Sequence, residues 1–282
     1  HLQDATPLTF GQELSGYISA LKHDLSYIRE LKPTLYELAI GGTAVGTGLN
    51  AAPGMTEKIA GKLSEVYGHK FEVKTNKFWG LAHHSGLDVV HGALKTLAAD
   101  MFKIAQDIRL LASGPRAGYH ELNIPANEPG SSIMPGKVNP TQAEAVTMAA
   151  AKVFGNDTTI TFASSQGNFE MNVFKTVIIA SFLDSCDILT GTITGFADKM
   201  IHGLTVNEER MDELLENSLM TVTALSPHIG YHAAAKIAQT ADKEGTTLRE
   251  AALKSGKVTE EQYDEWMDYM QMTNVDKSTP EE

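Results

Sequence analysis

This sequence of 282 residues is poor in several features that mark particular classes of protein. Cys186 is its single cysteine, so no disulfide can form within the chain, which fits a reducing compartment and makes the cytoplasm the expected location. The thiol falls in an apolar helical pattern, which favours packing in a core over catalysis. No uninterrupted apolar run reaches the roughly 18 residues of a membrane span, and we therefore expect no membrane partner.

Positive charge is also scarce. Lysine and arginine together number 23 against 35 acidic residues, the net charge is −12, and there is no basic run. A chain with this balance is a poor partner for nucleic acid, so we expect none. The chain starts at His1 and not at a methionine, which we interpret as the start of a fragment or of a processed product.

Two long segments place apolar residues at alternating steps of three and four, which is the period of an α-helix. The first runs from Leu14 to Leu38. The second runs from Leu87 to Leu111, where the pattern is close to a heptad repeat. Glycines at 41–42 and the Ser-Gly-Pro stretch at 113–115 are expected to end them. Seams this narrow are typical of long helices that pack side by side in a bundle.

Further helices are predicted for residues 56–67, 141–153 and 172–201, with almost no β-sheet, because no stretch alternates with period two. Beyond about residue 206 the predicted helices are short and sharply capped. One is expected to start at Ser226 and end at Gly245, and capping-box spacing follows at Thr247 and Thr259. We predict an all-α fold with a long-helix bundle over residues 1–206 and a small C-terminal helical domain over residues 207–282.

One loop carries an unusual set of groups. The stretch PGSSIMPGKVNP, residues 129–140, contains three prolines and two glycines, which disfavour helix and strand, together with Ser131, Ser132, Lys137 and Asn139. A Walker phosphate loop and a hydrolase nucleophile elbow both fail, because the glycine spacing is wrong and no strand precedes the loop. Two interpretations stay open on chemistry alone. One is an ordinary turn, and the other is a small-anion site formed by these donors and the start of the next helix.

Several segments together indicate a family. The loop GSSIMPGKVNP resembles the signature of the fumarase/aspartase superfamily, Gly-Ser-Ser-x-Met-Pro-x-Lys-x-Asn. HLQDATPLTFGQE at residues 1–13 and GGTAVGTGLN at residues 41–50 are similar to two further family segments, and ALSPHIGY at residues 224–231 also agrees. Within the superfamily the chain resembles the class II fumarases most, because aspartases typically carry glutamine where this chain has His1.

This resemblance implies a fold, an assembly and a reaction. The family has three domains, and its subunits form homotetramers in which the long helices share one core and each active site draws on three chains. The implied activity is that of a fumarate hydratase, the reversible hydration of fumarate to (S)-malate in the citric acid cycle. By this comparison the N-terminal domain is missing, and we expect the chain alone to have little or no activity.

The resemblance also implies roles for individual residues. Ser131 matches the catalytic base, His1 matches the histidine that handles the water, and Glu144 matches the carboxylate that pairs with this histidine. The positions that match substrate-binding residues are Ser132, Lys137, Val138 and Asn139. We expect no cofactor, and the spacing of histidines and carboxylates does not point to a metal site.

Two alternatives remain beside this function. Aspartate ammonia-lyase belongs to the same superfamily and differs in its substrate. A non-catalytic helical assembly module would account for the long helices, although it would leave the composition of the 129–140 loop unexplained.

Overall fold

The computed structural model describes residues 1–278 and is mostly helical. The first helices are α1 (Phe10–Leu31), α2 (Met55–Tyr67), α3 (Lys77–Ala82), α4 (Ser85–Leu111), α5 (Thr141–Ser164) and α6 (Lys175–Lys199). The short helices after them are α7 (Glu208–Asn217), α8 (Ser226–Ile229), α9 (Tyr231–Glu244), α10 (Leu248–Lys254), α11 (Glu260–Trp266), α12 (Tyr269–Thr273) and α13 (Val275–Ser278). The predicted helical class is confirmed.

Sheet is limited to two short pairs within residues 1–278. Strand β1 (Glu37–Leu38) pairs in parallel with β2 (Glu72–Val73), and β3 (Leu122–Asn123) pairs antiparallel with β4 (Thr205–Val206). Each strand has two residues, so the sheets tie neighbouring loops together and do not form a layer of their own. The prediction of almost no sheet is confirmed.

Helix α4 confirms the second of the two predicted long helices, whereas the first ends earlier than predicted. Helix α4 stops at Leu111, just before the predicted breaker at residues 113–115. Helix α1 stops at Leu31, and a 3-10 turn over Lys32–Tyr36 follows with Pro33 at its start. Proline lacks the N–H that an α-helix needs and clashes with the preceding turn, so the apolar pattern beyond Leu31 is not helical in the α sense.

The remaining long helices agree with the sequence in position and differ in length. Helix α2 ends at Gly68, which adopts the left-handed conformation with φ of 68°, and the prediction for residues 56–67 is confirmed. Helix α5 continues to Ser164, well past the predicted end at Val153. Polar residues at 156–159 interrupt the apolar pattern there, but Asn156 and Asp157 are buried and the helix runs through them.

The chain packs into two compact units. The bundle unit comprises Ala20–Leu110 and Ile124–Leu204, and the C-terminal unit comprises His1–Ser19, Leu111–Asn123 and Thr205–Glu282. The C-terminal unit therefore includes segments from the chain start and from the middle of the chain in addition to the short helices. The division into domains at residues 206 and 207 stays a prediction.

The C-terminal unit has its own apolar core and sharply capped helices. Buried side chains of the 3-10 helix Leu219–Leu225 and of α9, α10 and α11 form this core, among them Leu225, Ile237, Leu248 and Tyr263. Both predicted capping boxes are present, at Thr247 and Thr259. The single helix predicted from Ser226 to Gly245 is wrong, because Gly230 with φ of 83° and ψ of 151° separates α8 from α9.

Apolar clusters fill the interior of the bundle unit between α4, α5 and α6. One consists of Ala98, Ala150, Val153 and Leu189. The other consists of Val90, Ile160, Ala163, Ile178 and Phe182. Cys186 packs against the second cluster, as predicted, and burial raises the pKa of its thiol. The cysteine is thus part of the packing of α6.

A buried polar layer joins the same three helices. His91 of α4 is fully buried, with Nδ1 2.9 Å from Asp157 Oδ1 of α5 and Nε2 2.8 Å from Ser185 Oγ of α6. Asn156 donates to Ser185 Oγ at 2.9 Å, and Lys95 donates to Asp157 Oδ2 at 2.6 Å. Because a buried polar group that loses its partner costs free energy, these bonds favour one register of α4, α5 and α6.

Helix α6 is rich in apolar residues, and the chain buries only one stripe of it, with exposed apolar side chains on both sides of this stripe. By length and composition alone, Lys175–Gly203 is able to cross a membrane, with a mean hydropathy of 1.4 in its most apolar window, of which 22% is buried. Serine, threonine and aspartate interrupt this segment, so it contains no continuous apolar run of roughly 18 residues. The exposed side chains include Val177, Ile179 and Leu183. Exposed apolar side chains along a helix of this length are typical of a surface that packs against another helix or subunit.

Asp24 is the residue that α1 buries, and it lies beside a second carboxyl group. Its side chain is 1% exposed, and Oδ2 has no hydrogen-bond partner among residues 1–278. Burial, followed by the charge and the hydrogen bond of Asp100 on α4, raises the pKa of Asp24 to about 6, against a smaller opposing effect of His23. Because this pKa is higher in the folded chain, the contribution of Asp24 to stability is present at low pH and is lost as the pH rises through about 6.

Replacing Asp24 with asparagine keeps the shape of the side chain and removes the ionisation. We expect Asp24→Asn to raise the free energy of unfolding by about 1–3 kcal/mol near pH 8 and to change it little near pH 4. Urea unfolding followed across this pH range measures the difference. Asp187→Asn on the exposed face of α6 is the control, and a difference for Asp24→Asn that does not depend on pH would contradict the prediction.

Candidate functional site

The 129–140 loop lies in the bundle unit and closes on itself just before α5. Gly130 and Gly136 both have positive φ, at 85° and 80°, which only glycine adopts readily. A Cβ on Gly130 would lie 2.7 Å from the carbonyl oxygen of Lys137, so the backbone at the two ends of the loop is in close contact. The loop therefore holds its side chains in a small, tightly closed turn and not in an extended connection.

Ser131 is half-buried at the start of this loop, and its hydroxyl oxygen is the acceptor for two backbone donors. The N–H of Ile133 donates to Ser131 Oγ at 3.1 Å and the N–H of Met134 donates at 3.0 Å. Donors aimed at an oxygen stabilise that oxygen most when it carries negative charge. Two N–H groups are thus in place at the oxygen that would carry the charge if this serine acted as a base.

The other groups of the loop are open to a ligand. Ser132, Lys137 and Val138 are exposed, and Asn139 is half-buried. Within the described residues 1–278, the side chains of Ser132, Lys137 and Asn139 make no hydrogen bond or ion pair. Helix α5 starts directly after them, and Pro140 at its N-cap supplies no side-chain cap for its first N–H groups. A cation, an amide and the start of a 24-residue helix are thus presented together, as an anion site requires.

Glu144 and His1 lie outside the loop. Glu144 is half-buried in the first turn of α5, one turn beyond the loop, and its carboxylate has no hydrogen-bond partner among the residues that the structure describes. His1 is exposed at the chain start in the C-terminal unit. All the predicted site residues except His1 thus lie on this loop and on the first turn of α5, and their roles, with the pairing of His1 and Glu144, stay predictions.

The GGTAVGTGLN segment, residues 41–50, lines a cavity of about 330 Å³ with Thr56 and Lys77. The start of α2 beside this cavity already has an anion, because Thr56 Oγ1 donates to Glu57 Oε2 at 2.8 Å. The pKa of Glu57 is lowered by hydrogen bonds to its own backbone N–H and to Thr56, with Lys77 contributing. The first turn of α2 beside this cavity therefore contains a hydrogen-bonded carboxylate of its own.

A serine, a histidine and an aspartate also meet in the polar layer of the bundle, at Ser185, His91 and Asp157. Ser185 and His91 are both 0% exposed, so a substrate has no access to the hydroxyl. Their arrangement therefore serves packing and not nucleophilic catalysis. Among residues 1–278 there is also no group of three or more histidine, cysteine or carboxylate side chains that is suited to hold a metal ion.

Comparison with known proteins identifies the family. Residues 1–155 match the family model described as lyase, and residues 222–274 match the model described as the fumarase C C-terminus. A fumarate hydratase class II from Listeria monocytogenes serovar 1/2a is 55% identical over 275 residues, which cover 98% of this chain and 60% of that protein. The chain belongs to the class II fumarase family. A second member of this fumarase family, the fumarate hydratase class II of Bacillus subtilis strain 168, is 57% identical over 94% of this chain and 57% of its own length.

Crystal structures agree with this assignment to the fumarase family. Recombinant class II fumarase from Schistosoma mansoni has a TM-score of 0.94 at 42% identity, over 97% of this chain and 60% of that one. The 3-carboxy-cis,cis-muconate lactonizing enzyme from Pseudomonas putida has a TM-score of 0.79 at 24% identity, which shows a shared fold alone. The chain thus has the helical fold of fumarases and spans about 60% of the length of the curated relatives that it matches.

Asn127 and Glu128, just before the loop, are not among the site residues predicted from the sequence. Their side chains hydrogen-bond to residues of α5 and to the end of α6. The signal available in the sequence was weak, because an Asn-Glu pair ahead of Pro-Gly reads as an ordinary polar turn. Only the folded positions of the two helices show what these side chains reach.

Alanine substitutions at Gly130 and Gly136 separate two effects on stability, the strain of a positive φ and the steric contact of a Cβ with the Lys137 carbonyl oxygen. Both variants place a Cβ at similar φ, but only Gly130→Ala puts it against the Lys137 carbonyl, since nothing lies within 4 Å of the corresponding position at Gly136. We expect Gly130→Ala to cost about 1–3 kcal/mol of unfolding free energy and Gly136→Ala about 1 kcal/mol. Hydrogen exchange should also accelerate across residues 130–139 in Gly130→Ala alone. Equal effects of the two variants would contradict the close contact.

Proposed function

We propose that this chain carries the reaction loop of a fumarate hydratase that interconverts fumarate and (S)-malate. The observation that carries the proposal is the pair of backbone N–H groups directed at Ser131 Oγ, beside an exposed and unpaired Lys137 in a family of lyases. The names of the relatives support the same substrate, since they are fumarate hydratases of class II. The chain spans only part of these relatives, so the activity belongs to a longer protein or to a completed site.

In the direction from malate, the difficult step is removal of a proton from the carbon beside a carboxylate. Ser131, as the alkoxide, takes this proton, and the electron pair left on carbon spreads into the carboxylate as an aci-carboxylate. Lys137, Asn139 and the N–H groups at the start of α5 face the negative charge that develops there, which is usually the largest contribution to such a reaction. Ser132 and the backbone of Val138 hold the substrate carboxylate in place.

The second half of the reaction expels the hydroxyl group of malate as water. His1 donates the proton that this leaving group needs, and in the reverse direction it accepts a proton from the attacking water. Glu144 pairs with His1 and fixes the tautomer of the ring. Ser131 gains the proton from carbon and His1 loses one to the departing hydroxyl, so transfer of a proton from Ser131 back to His1 through solvent restores the site, and malate is converted to fumarate and water without a cofactor or a metal ion.

We also propose that the protein assembles as a homotetramer through the open faces of the bundle helices. Exposed apolar side chains lie on these faces, namely Leu25 of α1, Met148 and Phe162 of α5, and Ile179 and Leu183 of α6. A tetramer covers them and allows His1 of one chain to complete the loop of another. Such an arrangement accounts for an anion site on a chain of net charge −12, since positive groups from several chains gather at one place. Location in the cytoplasm, without nucleic acid or membrane partners, stays a prediction.

Two preparations test the activity. One is the chain itself, and the other is a chimera in which it is joined to the part of the Listeria monocytogenes relative that lies outside the matched 275 residues. We expect the chimera to hydrate fumarate, measured by loss of fumarate absorbance, and the chain alone to show little turnover. Ser131→Ala in the chimera should lower kcat by roughly 10²–10⁴-fold.

Ser165→Ala at the exposed end of α5 is the matched control and should leave turnover unchanged. A folded chimera without fumarate hydration would refute the proposal. Release of ammonia from aspartate in place of fumarate hydration would favour the aspartate ammonia-lyase alternative. Full activity of Ser131→Ala would remove the assigned base and favour the non-catalytic helical module for this loop.

Charged residues in the open apolar faces test the assembly. We expect sedimentation to show a tetramer for the parent chain at micromolar concentration, and a shift to smaller species for Phe162→Glu and Leu183→Lys, because a charge in a buried interface is costly. Val66→Lys, on the exposed surface of α2 outside these faces, is the control and should not change the state. A stable monomer for the parent chain would count against the proposal.

A further inference from the structure

The four residues 125–128 lead into the reaction loop and are attached to the helices on both sides of it. Asn127 Nδ2 donates to the carbonyl oxygen of Lys199 at 2.6 Å and to Gln142 Oε1 at 3.2 Å. Thr141 Oγ1 donates to Glu128 Oε1 at 2.7 Å. These contacts lie within the bundle unit and precede Ser131 by only a few residues.

Asn127 joins the ends of two helices. Lys199 is the last residue of α6, where the terminal carbonyl groups have no partner inside the helix, and Gln142 is in the first turn of α5. The amide of Asn127 has two donor hydrogens, and the two bonds use both. One side chain therefore fixes the entrance of the loop to the end of α6 and to the helix that carries Glu144.

Glu128 and a close glycine contact support the same segment. The bond from Thr141 to Glu128 spans the base of the loop, because these residues stand just before and just after it. Upstream, the backbone at Gly203 approaches Pro125 so closely that a Cβ there would lie 2.6 Å from Pro125 Cγ. The entrance is thus held at Pro125, Asn127 and Glu128, in addition to the contact between Gly130 and Lys137 inside the loop.

We propose that Asn127 is a positioning residue for the reaction loop, acting on Ser131 and Lys137 without touching the substrate. The inference rests on the proposed function for its kinetic part. Ser131, Lys137 and Asn139 lie on a loop with much exposed surface, and a base that must meet a carbon atom tolerates little displacement. Because the donors on Asn127 reach helix ends, their loss frees the loop entrance while the interior of the bundle stays intact.

The first test follows the loop itself and needs no turnover. In Asn127→Ala we expect amide hydrogen exchange over residues 130–139, and tryptic cleavage after Lys137, to become about fivefold faster, as the loss of one or two hydrogen bonds implies. The cooperative unfolding of the chain should change little. Asn123→Ala, which removes a side-chain bond to Thr205 in the C-terminal unit, is the matched control and should leave both rates unchanged.

The second test uses the active chimera. We expect Asn127→Ala to lower kcat by roughly ten- to a hundredfold with a smaller change in KM, because the base is displaced more than the binding of substrate is weakened. Asn127→Asp keeps the shape of the side chain and loses both N–H donors, so it should lower kcat as the alanine variant does. It replaces the alanine variant in this test if that variant fails to fold. Asn127→Gln keeps the amide and should recover part of the rate.

The outcomes are distinguishable. Unchanged loop exchange and unchanged kcat in a folded Asn127→Ala would overturn the inference. A loss of thermal stability with normal kcat would also overturn it, since that result describes a purely structural side chain. If the parent chimera does not hydrate fumarate, the proposed function fails, whereas the exchange and cleavage rates still decide whether Asn127 holds the loop.

Discussion

Two backbone N–H groups that donate to one serine oxygen are the interaction on which the rest of this site depends. A serine hydroxyl in water is far too weak a base to take a proton from carbon, and in the proposed mechanism the N–H groups of Ile133 and Met134 donate to the oxygen that would bear the charge. The turn that they form lies between Gly130 and Gly136, which both have positive φ. The loop has three prolines and two glycines in twelve residues, and the positive φ at both glycines accounts for the presence of glycine at these two positions.

The bundle supplies the rigidity that such a loop requires. The clusters around Val153 and Ile160 pack α4, α5 and α6 by apolar contact, and the polar layer at His91 adds directional bonds that a slipped register would break. Apolar packing alone tolerates small slides between helices, whereas a buried imidazole with partners on two other helices does not. The packing and the hydrogen bonds of the bundle interior therefore hold the start of α5, which carries Glu144 and follows the loop, in a fixed position.

Much of the fold and most of the candidate site could be predicted from the sequence, because both depend on local signals. The heptad pattern of α4, the glycine that ends α2 and the capping boxes at Thr247 and Thr259 are short-range features, and the loop signature is contiguous. The errors have equally physical causes. Helix α1 ends before Pro33, although the apolar pattern continues beyond it. Gly230 separates two helices whose sequences both have a helical pattern. Buried polar residues interrupt the apolar pattern in the second half of α5, so the sequence does not predict that this half is helical. The contacts of Asn127 and the carboxyl pair of Asp24 and Asp100 join residues far apart in the chain, so no local pattern announces them.

The exposed apolar side chains of α6 have a consequence for the folding and assembly of newly synthesised chains. Before the proposed tetramer forms, a newly folded chain exposes Ile179 and Leu183 to water, and exposed apolar side chains also associate with unrelated apolar surfaces. Under this proposal, association with other copies of the chain competes with aggregation. The yield of assembled protein would then depend on the concentration of the chain during synthesis as well as on the stability of the folded chain.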